Sequence, residues 1–363
     1  MNTAERILAV GVAAPYNPTR DIQAYFDEFD HLLRSSGVAP TVFHTVTLRT
    51  IEPGTFFTTG KLNDIRELCE KNGIERVFVS EPLSPTQERN LGDILNLPLV
   101  DRTRLILNIF AQSAHSAEGK LQVAIAQYAF EKSRLAGKGR ALSQQRGGTN
   151  MRGGPGETVK EKEKRIIEAG MLKLTRELEH LEKVRATQRK QRLTRKVPHV
   201  CLVGYTNAGK STILNQLTHA EVYAADQLFA TLDTTTRALV LEKKQVGVIS
   251  DTVGFIQMLP PQLINAFKST LAELQYADLL LHVVDSADPD WEHHIQVVNN
   301  IFQELELSEK PVLYIFNKID KIPRVTQELA GKFARYQPHV LATATKPQGL
   351  DELSAYLTGW FMK

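Results

Sequence analysis

Four short runs in the second half of the chain carry side chains and glycines that could hold a nucleotide: Gly204-Tyr205-Thr206-Asn207-Ala208-Gly209-Lys210-Ser211, Asp251-Thr252-Val253-Gly254, Asn317-Lys318-Ile319-Asp320 and Thr343-Ala344-Thr345. The first follows the apolar run Val200-Cys201-Leu202-Val203 and leads into a predicted helix from Ser211 to Leu217, the setting of strand, loop and helix that a phosphate-binding loop requires. Glycines let backbone N–H groups turn onto phosphate oxygens, and the helix that follows points the positive end of its dipole at the same anion. Lys210 would add a full charge at the outer two phosphates, and the Ser211 hydroxyl suits Mg²⁺. Asp251 closes a second apolar run, Val246-Gly247-Val248-Ile249, where a carboxylate can reach the metal. Gly254 can offer its N–H to the third phosphate, whose loss would release the loop.

Asn317, Lys318 and Asp320 follow the predicted strand Val312-Leu313-Tyr314-Ile315-Phe316 and are placed to read a base. A carboxylate at Asp320 accepts two hydrogen bonds from the N1–H and exocyclic amine of guanine, whereas adenine offers no such donor pair and leaves the charge unpaired. The expected ligand is therefore GTP or GDP. Thr343-Ala344-Thr345, after His339-Val340-Leu341, is expected to add backbone N–H groups toward the guanine oxygen, and departs at two positions from the more usual Ser-Ala-Lys.

Between the first two runs lies Phe229-Ala230-Thr231-Leu232-Asp233-Thr234-Thr235-Thr236-Arg237, with four hydroxyls. Together with Asp251-Thr252-Val253-Gly254-Phe255-Ile256, Leu259-Pro260-Pro261, Ala266-Phe267-Lys268-Ser269-Thr270-Leu271 and Ala277-Asp278-Leu279-Leu280-Leu281-His282-Val283-Val284-Asp285, this stretch resembles the HflX-type GTPases. The resemblance covers nearly the whole chain and is strongest from Gly147 to Asp285. It implies that Thr231 completes the Mg²⁺ shell begun by Ser211, that Lys210, Thr231 and Gly254 serve hydrolysis, and that Phe229 to Asp233 close on the nucleotide. It further implies a GTPase that associates with the large ribosomal subunit and splits or rescues stalled ribosomes. The chain departs from the family at Thr234, where a proline is usual. The residue after Gly254 is Phe255, where many GTPases place a glutamine to orient the attacking water. A phenyl ring cannot do that, so another group or a partner is expected to position the water, with slow intrinsic turnover as the consequence.

Composition frames the rest. A length of 363 residues points to two or three domains, and 42% apolar content is enough for real cores. No run of 18 apolar residues is present and the first ten residues lack a signal-peptide core, so a cytoplasmic protein without membrane insertion is expected. Cys69 and Cys201 are far apart, one in a predicted helix and one in a predicted strand, which points to neither a disulfide nor a metal. His115, His293 and His294 lack partners at metal-ligand spacing and read as surface residues.

Net charge is +3, but Lys132 to Lys196 carries 19 Lys or Arg against 7 Glu, so this segment is at +12 and the remainder at −9. A polycationic segment in an otherwise acidic chain is the footprint of phosphate-backbone binding; a solvated charged helix is the plainer alternative. Leu121, Ile125, Tyr128 and Leu135, and then Ile167, Met171, Leu174, Leu178 and Leu181, recur at helical spacing and predict a two-helix seam. The glycine-rich run between them, with Lys138, Arg140, Arg146 and Arg152 beside glycines and Gly153 to Thr158 resembling a family signature, reads as a basic loop suited to RNA or as a linker.

Ahead of residue 117, strands at Arg6 to Gly11, Val42 to Thr47, Arg76 to Ser80 and Pro98 to Asp101 alternate with helices at Gln23 to Ser35, Leu62 to Asn72 and Ser84 to Leu95. That is a small α/β domain with a mostly parallel sheet. Thr59-Gly60-Lys61-Leu62 reads as a turn and helix start. The expected architecture is an α/β domain over 1–116, a helical hairpin over 117–196 and an α/β P-loop domain over 197–363, in a monomer. A GTP-dependent assembly factor, or a scaffold merely ordered by nucleotide, would share the switch and the charge. Partner-stimulated turnover separates these readings.

Overall fold

In the computed structural model the first strand, β1 (Ile7–Ala13), is buried along almost its whole length, as befits a strand covered on both faces. The structure describes residues 5–17, 21–135, 159–194, 197–218, 228–229, 232, 235–241, 244–266 and 268–362. With β2 (Val42–Thr47), β3 (Arg76–Val79) and β4 (Leu99–Val100), β1 forms a wholly parallel sheet of order β2-β1-β3-β4.

The helices between these strands start where the sequence supplies caps. Asp21 accepts the N–H groups of Gln23 and Ala24 ahead of α1 (Ile22–Ser35), and Ser84 and Gln87 form a capping box on α3 (Pro85–Leu95). Helix α2 (Thr59–Asn72) begins at Thr59 and ends on Gly73 in the left-handed region, φ 60. The sequence reading stopped at Asp101, but that side chain caps a further helix, α4 (Arg102–Ser113), by accepting the Arg104 N–H at 2.8 Å. Seven of the α4 residues are buried, which leaves the narrow line of Arg104, Asn108, Ala111 and Gln112 toward solvent and makes the helical period hard to read.

The basic middle segment supplies α5 (Ala117–Leu135) and α6 (Val159–Thr194), packed on each other. Ile167 and Leu178 of the expected seam are buried, Met171, Leu174 and Leu181 are half-buried, and Gly170 gives Tyr128 room, since a Cβ there would lie 3.1 Å from its ring. Lys132 pairs with Glu168 across the seam at 2.8 Å. The glycine-rich run with Lys138, Arg140, Arg146 and Arg152, together with Ala230, Thr231, Asp233 and Thr234, lies outside the described residues.

The last part is a six-stranded sheet of order β10-β9-β8-β5-β7-β6. Its strands are β5 (His199–Gly204), β6 (Thr235–Leu241), β7 (Lys244–Asp251), β8 (Leu279–Asp285), β9 (Val312–Asn317) and β10 (His339–Leu341), parallel except for the β6 and β7 pair. Helices α7 (Lys210–Thr218), α8 (Pro261–Ala266), α9 (Lys268–Gln275), α10 (Trp291–Glu304), α11 (Gln327–Phe333) and α12 (Asp351–Phe361) complete it.

One apolar cluster runs through all three parts. It joins Phe29, Leu105 and Phe110 of the N-terminal part, Val123, Ala126 and Phe130 of α5, and Phe229, Phe255, Ile256 and Leu263. Each fully buried aromatic here is worth about 2 to 3 kcal/mol. Among the described residues no helix is long and apolar enough to cross a membrane.

Candidate functional site

The four runs meet at the carboxyl ends of the strands, where open parallel sheets bind ligands. β5 ends at Gly204, and Tyr205 to Gly209 curl back over it before α7 starts at Lys210. The curl needs Gly209, which sits at φ 97 and whose missing Cβ would lie 2.3 Å from the Asn317 amide nitrogen. Lys210 is buried at 6% exposure, and its ammonium donates to the carbonyls of Tyr205 at 2.9 Å and Gly204 at 3.3 Å. Burial, opposed by Asp251 and assisted by Lys318, brings its pKa down to about 8. A phosphate beside it would raise that value again.

Ser211, the next residue, donates from Oγ to Asp251 Oδ2 at 2.5 Å. A hydroxyl and a carboxylate thus converge at the mouth of the loop, and both are hard oxygen donors of the kind Mg²⁺ takes. Thr252 is spent structurally, its hydroxyl donating to the Leu202 carbonyl at 2.7 Å, and Val253 is buried. Gly254 packs on the phosphate loop so closely that a Cβ would lie 2.9 Å from Thr206 Cα and 3.0 Å from Lys210 Nζ. The backbone of Phe255 fastens this contact, receiving the Thr206 N–H at 2.7 Å and giving its own to the Gly204 carbonyl at 3.1 Å. Its ring is turned into the shared core at 1% exposure.

Asn317 joins three of the runs. Its amide nitrogen donates to the Ala208 carbonyl at 2.8 Å, and its oxygen accepts the Ala344 N–H at 3.0 Å. Of the run expected to offer N–H groups to guanine, Ala344 is therefore engaged by Asn317 here and Thr343 by the Gly349 carbonyl at 2.9 Å. Lys318, at φ 61, pairs with Asp285 at 2.6 Å, and the Ile319 N–H donates to the Ala342 carbonyl at 3.2 Å. Asp320 is exposed on a short 3₁₀ turn, Thr343 is buried and Thr345 is exposed. A cavity of about 450 Å³ opens between Tyr205, Thr206, Asn207, Lys318 and the face of α1 that carries Asp27 and Glu28.

Of the four runs, Tyr205, Thr206, Asn207 and Lys318 line this cavity, and the remaining residues do not. Phe229 packs on Phe110, ring centroids 4.4 Å apart, and Leu232 is 2% exposed, so both side chains serve the core. Thr231, Ala230 and Asp233 lie outside the described residues. His294, read from sequence as a surface residue, instead stacks on the Tyr205 ring with centroids 3.7 Å apart and planes at 10°. Glu28, Arg102 and Gln257, which touch Tyr205 or its neighbours, have no local signature in the sequence, because their contacts span 52 to 229 residues. Among the described residues, no cluster of His, Cys, Asp and Glu fit to hold a metal by itself is present.

Comparison with known proteins agrees with this geometry. Residues 199–318 match the sequence profile described as 50S ribosome-binding GTPase, residues 23–111 that of GTP-binding GTPase N-terminal and residues 113–192 that of GTP-binding GTPase Middle Region. The GTPase HflX of Magnetococcus marinus is 45% identical over 305 residues, covering 84% of this chain and 71% of that protein. The GTPase HflX of Escherichia coli K12 is 42% identical over 336 residues, covering 92% and 79%. In fold, the chain is similar to the crystal structure of SsGBP with GDP, with a TM-score of 0.53, 24% identity and 98% of each chain covered.

Proposed function

This chain belongs to the HflX family of GTPases, and from that premise we propose that its hydrolysis of GTP is coupled to the large ribosomal subunit and its RNA, so that it splits or rescues stalled ribosomes. The observation that carries the coupling is the seat of Phe255. The position that would orient the attacking water is occupied by a ring buried in the core, so a partner must complete the water site. Support also comes from the described part of the hairpin, where Lys162, Lys164, Arg165, Lys173 and Arg176 are exposed along α6.

Within this reading, Lys210 neutralises the outer phosphates and Gly254 presents its N–H to the third. Asp320 reads the guanine edge while Asn317 holds the loops that carry the base and phosphates together. Ser211 and Thr231 would hold Mg²⁺, with Asp251 reaching it through water; the ion, when bound, would neutralise phosphate charge. The boundaries 1–116, 117–196 and 197–363 are proposed as the working division, with the N-terminal part and hairpin presenting the GTPase part to the ribosome.

The test is steady-state GTP hydrolysis by the full chain with and without purified large subunits. A rate increase well above tenfold is expected. Fast basal turnover that the subunits fail to raise would refute the coupling and return the assembly-factor and scaffold readings.

A further inference from the structure

The side chain of Tyr205 leaves the phosphate loop and enters the N-terminal part. Its hydroxyl donates to Glu28 of α1 and receives the backbone N–H of Gln257 at 2.9 Å, three residues past Gly254. Arg102 of α4 holds Glu28 at 2.5 Å and also donates to the Gln257 carbonyl at 3.2 Å, while the Gln257 side chain donates to Glu28 at 3.3 Å. Arg102 is fully buried and the Glu28 side chain is 11% exposed. Burial, with Glu28 beside it, pushes the Tyr205 hydroxyl well above its ordinary range, so the phenol remains a donor. The next residue, Met258, is at φ 55 with its sulfur 3.6 Å from the Tyr25 hydroxyl, which is bonded to Glu81.

A buried ion pair is a poor means of gaining stability, because desolvation cancels much of its attraction. This pair stands where two loops of the nucleotide site meet a different part of the chain, and its position accounts for it better than its energy does. We propose that Glu28, held by Arg102, is a specificity-determining residue of the nucleotide site that sets the preference between diphosphate and triphosphate through Tyr205 and the Gln257 peptide. The proposal rests on the reading of Gly204 to Ser211 as the phosphate loop.

Two effects act in the same direction. Glu28 lines the same 450 Å³ cavity as Tyr205, Thr206 and Asn207, with Asp27 and Asp288 nearby on its walls. Arg102 offsets most of the Glu28 charge, and what remains, with that of Asp27 and Asp288, opposes a triphosphate more than a diphosphate, which carries one charge fewer. The second effect is mechanical: the bonds from Tyr205 and Arg102 pin both the N–H and the carbonyl of Gln257, so any turn of Gly254 toward a third phosphate strains them. Replacing Glu28 by glutamine removes the residual charge and weakens the hold that keeps Tyr205 and Arg102 on the Gln257 peptide, so it eases both.

The experiment uses the full chain with Mg²⁺ at low salt and two probes, N-methylanthraniloyl-GDP and a non-hydrolysable N-methylanthraniloyl-GTP analogue. Affinities are measured for wild type, Glu28→Gln, Tyr205→Phe and the double variant, with melting curves as the check on folding. Glu28→Gln is expected to raise the ratio of triphosphate to diphosphate affinity at least threefold. Tyr205→Phe should shift the same ratio, and the double variant should fall short of the product of the two single effects. A purely structural pair would weaken both nucleotides together and leave the ratio within twofold of wild type, which would overturn the proposal, as would a multiplicative double variant. Should Glu28→Gln fail to fold, the Tyr205→Phe ratio decides in the same way. Wild-type protein that binds neither probe would instead sink the phosphate-loop reading.

Discussion

Replacing Asn317 by alanine separates the loops of the nucleotide site without touching any residue proposed to meet phosphate. The Asn317 side chain is 1% exposed and makes one bond as donor, to Ala208 at 2.8 Å, and one as acceptor, from Ala344 at 3.0 Å. Alanine leaves both backbone partners buried and unsatisfied, at about 1 to 3 kcal/mol each. The total, about 2 to 6 kcal/mol, is divided between stability and ligand affinity, because a bound nucleotide helps to order the same loops. Titration calorimetry with GDP, together with urea unfolding of the free protein, measures the two shares. Their sum should fall in that range, equivalent to about 30- to 20,000-fold if carried wholly by affinity. Asn317→Asp keeps an acceptor for Ala344 and turns the other oxygen against the Ala208 carbonyl, so it should harm GDP binding while preserving the order of the base loop. If Asn317→Ala binds GDP within threefold of wild type and unfolds at the same urea concentration, the bridge carries no energy and the argument fails.

Asp320→Asn should lower GTP affinity strongly and let xanthosine triphosphate compete, since the amide supplies the donor that the extra xanthine carbonyl needs; unchanged discrimination in a competition assay would remove Asp320 from base reading. Phe255→Leu, which keeps most of the buried volume, should alter the basal hydrolysis rate by less than about tenfold, or ~1.4 kcal/mol, and a larger loss in single-turnover assays would give that ring a part in the chemistry. His282 is buried on β8, and burial, with Lys210 adding to it, lowers its pKa to about 3. A histidine whose folded pKa lies below its unfolded value contributes stability above the unfolded pKa and loses it as pH falls through the window toward 3, so unfolding at pH 5 should be about 2 kcal/mol easier than at pH 7 on this account, and His282→Phe should abolish that share of the acid slope.

The phosphate loop was legible in the sequence because its chemistry is local. Eight consecutive residues after an apolar run specify strand, turn and helix, and the helix begins at Lys210 within one residue of where the pattern put it. The N-terminal strands were legible for the same reason, and Val42–Thr47 appears with the bounds read from its alternation. Helix α4 was hidden because its polar face is narrow, with Ala111 among its exposed residues and Arg102 and Thr103 among the buried ones, which weakens amphipathic contrast. The hairpin seam was readable, but α5 has a second apolar face, Val123, Ala126 and Phe130, that meets the shared core and breaks its simple period. Glu28 and Arg102 carry no local signal at all, since what makes them distinctive is tertiary: a tyrosine 177 residues away from Glu28 and a peptide carbonyl 155 residues away from Arg102.

Helix α5 is a party wall. It rests against α6 on one side and against α8, which lies just beyond the Asp251 to Gly254 run, on another. With 19 residues it is about 28 Å long, and the 36 residues of α6 span about 54 Å. Because packed helices shift as rigid bodies rather than yielding smoothly, a tilt of about 5° in the seat that α8 gives α5 displaces points along the two helices by about 2.5 to 5 Å. A sub-ångström event at a phosphate would then be read out as a movement the size of a helical turn, in the direction of the charged segment the two helices carry.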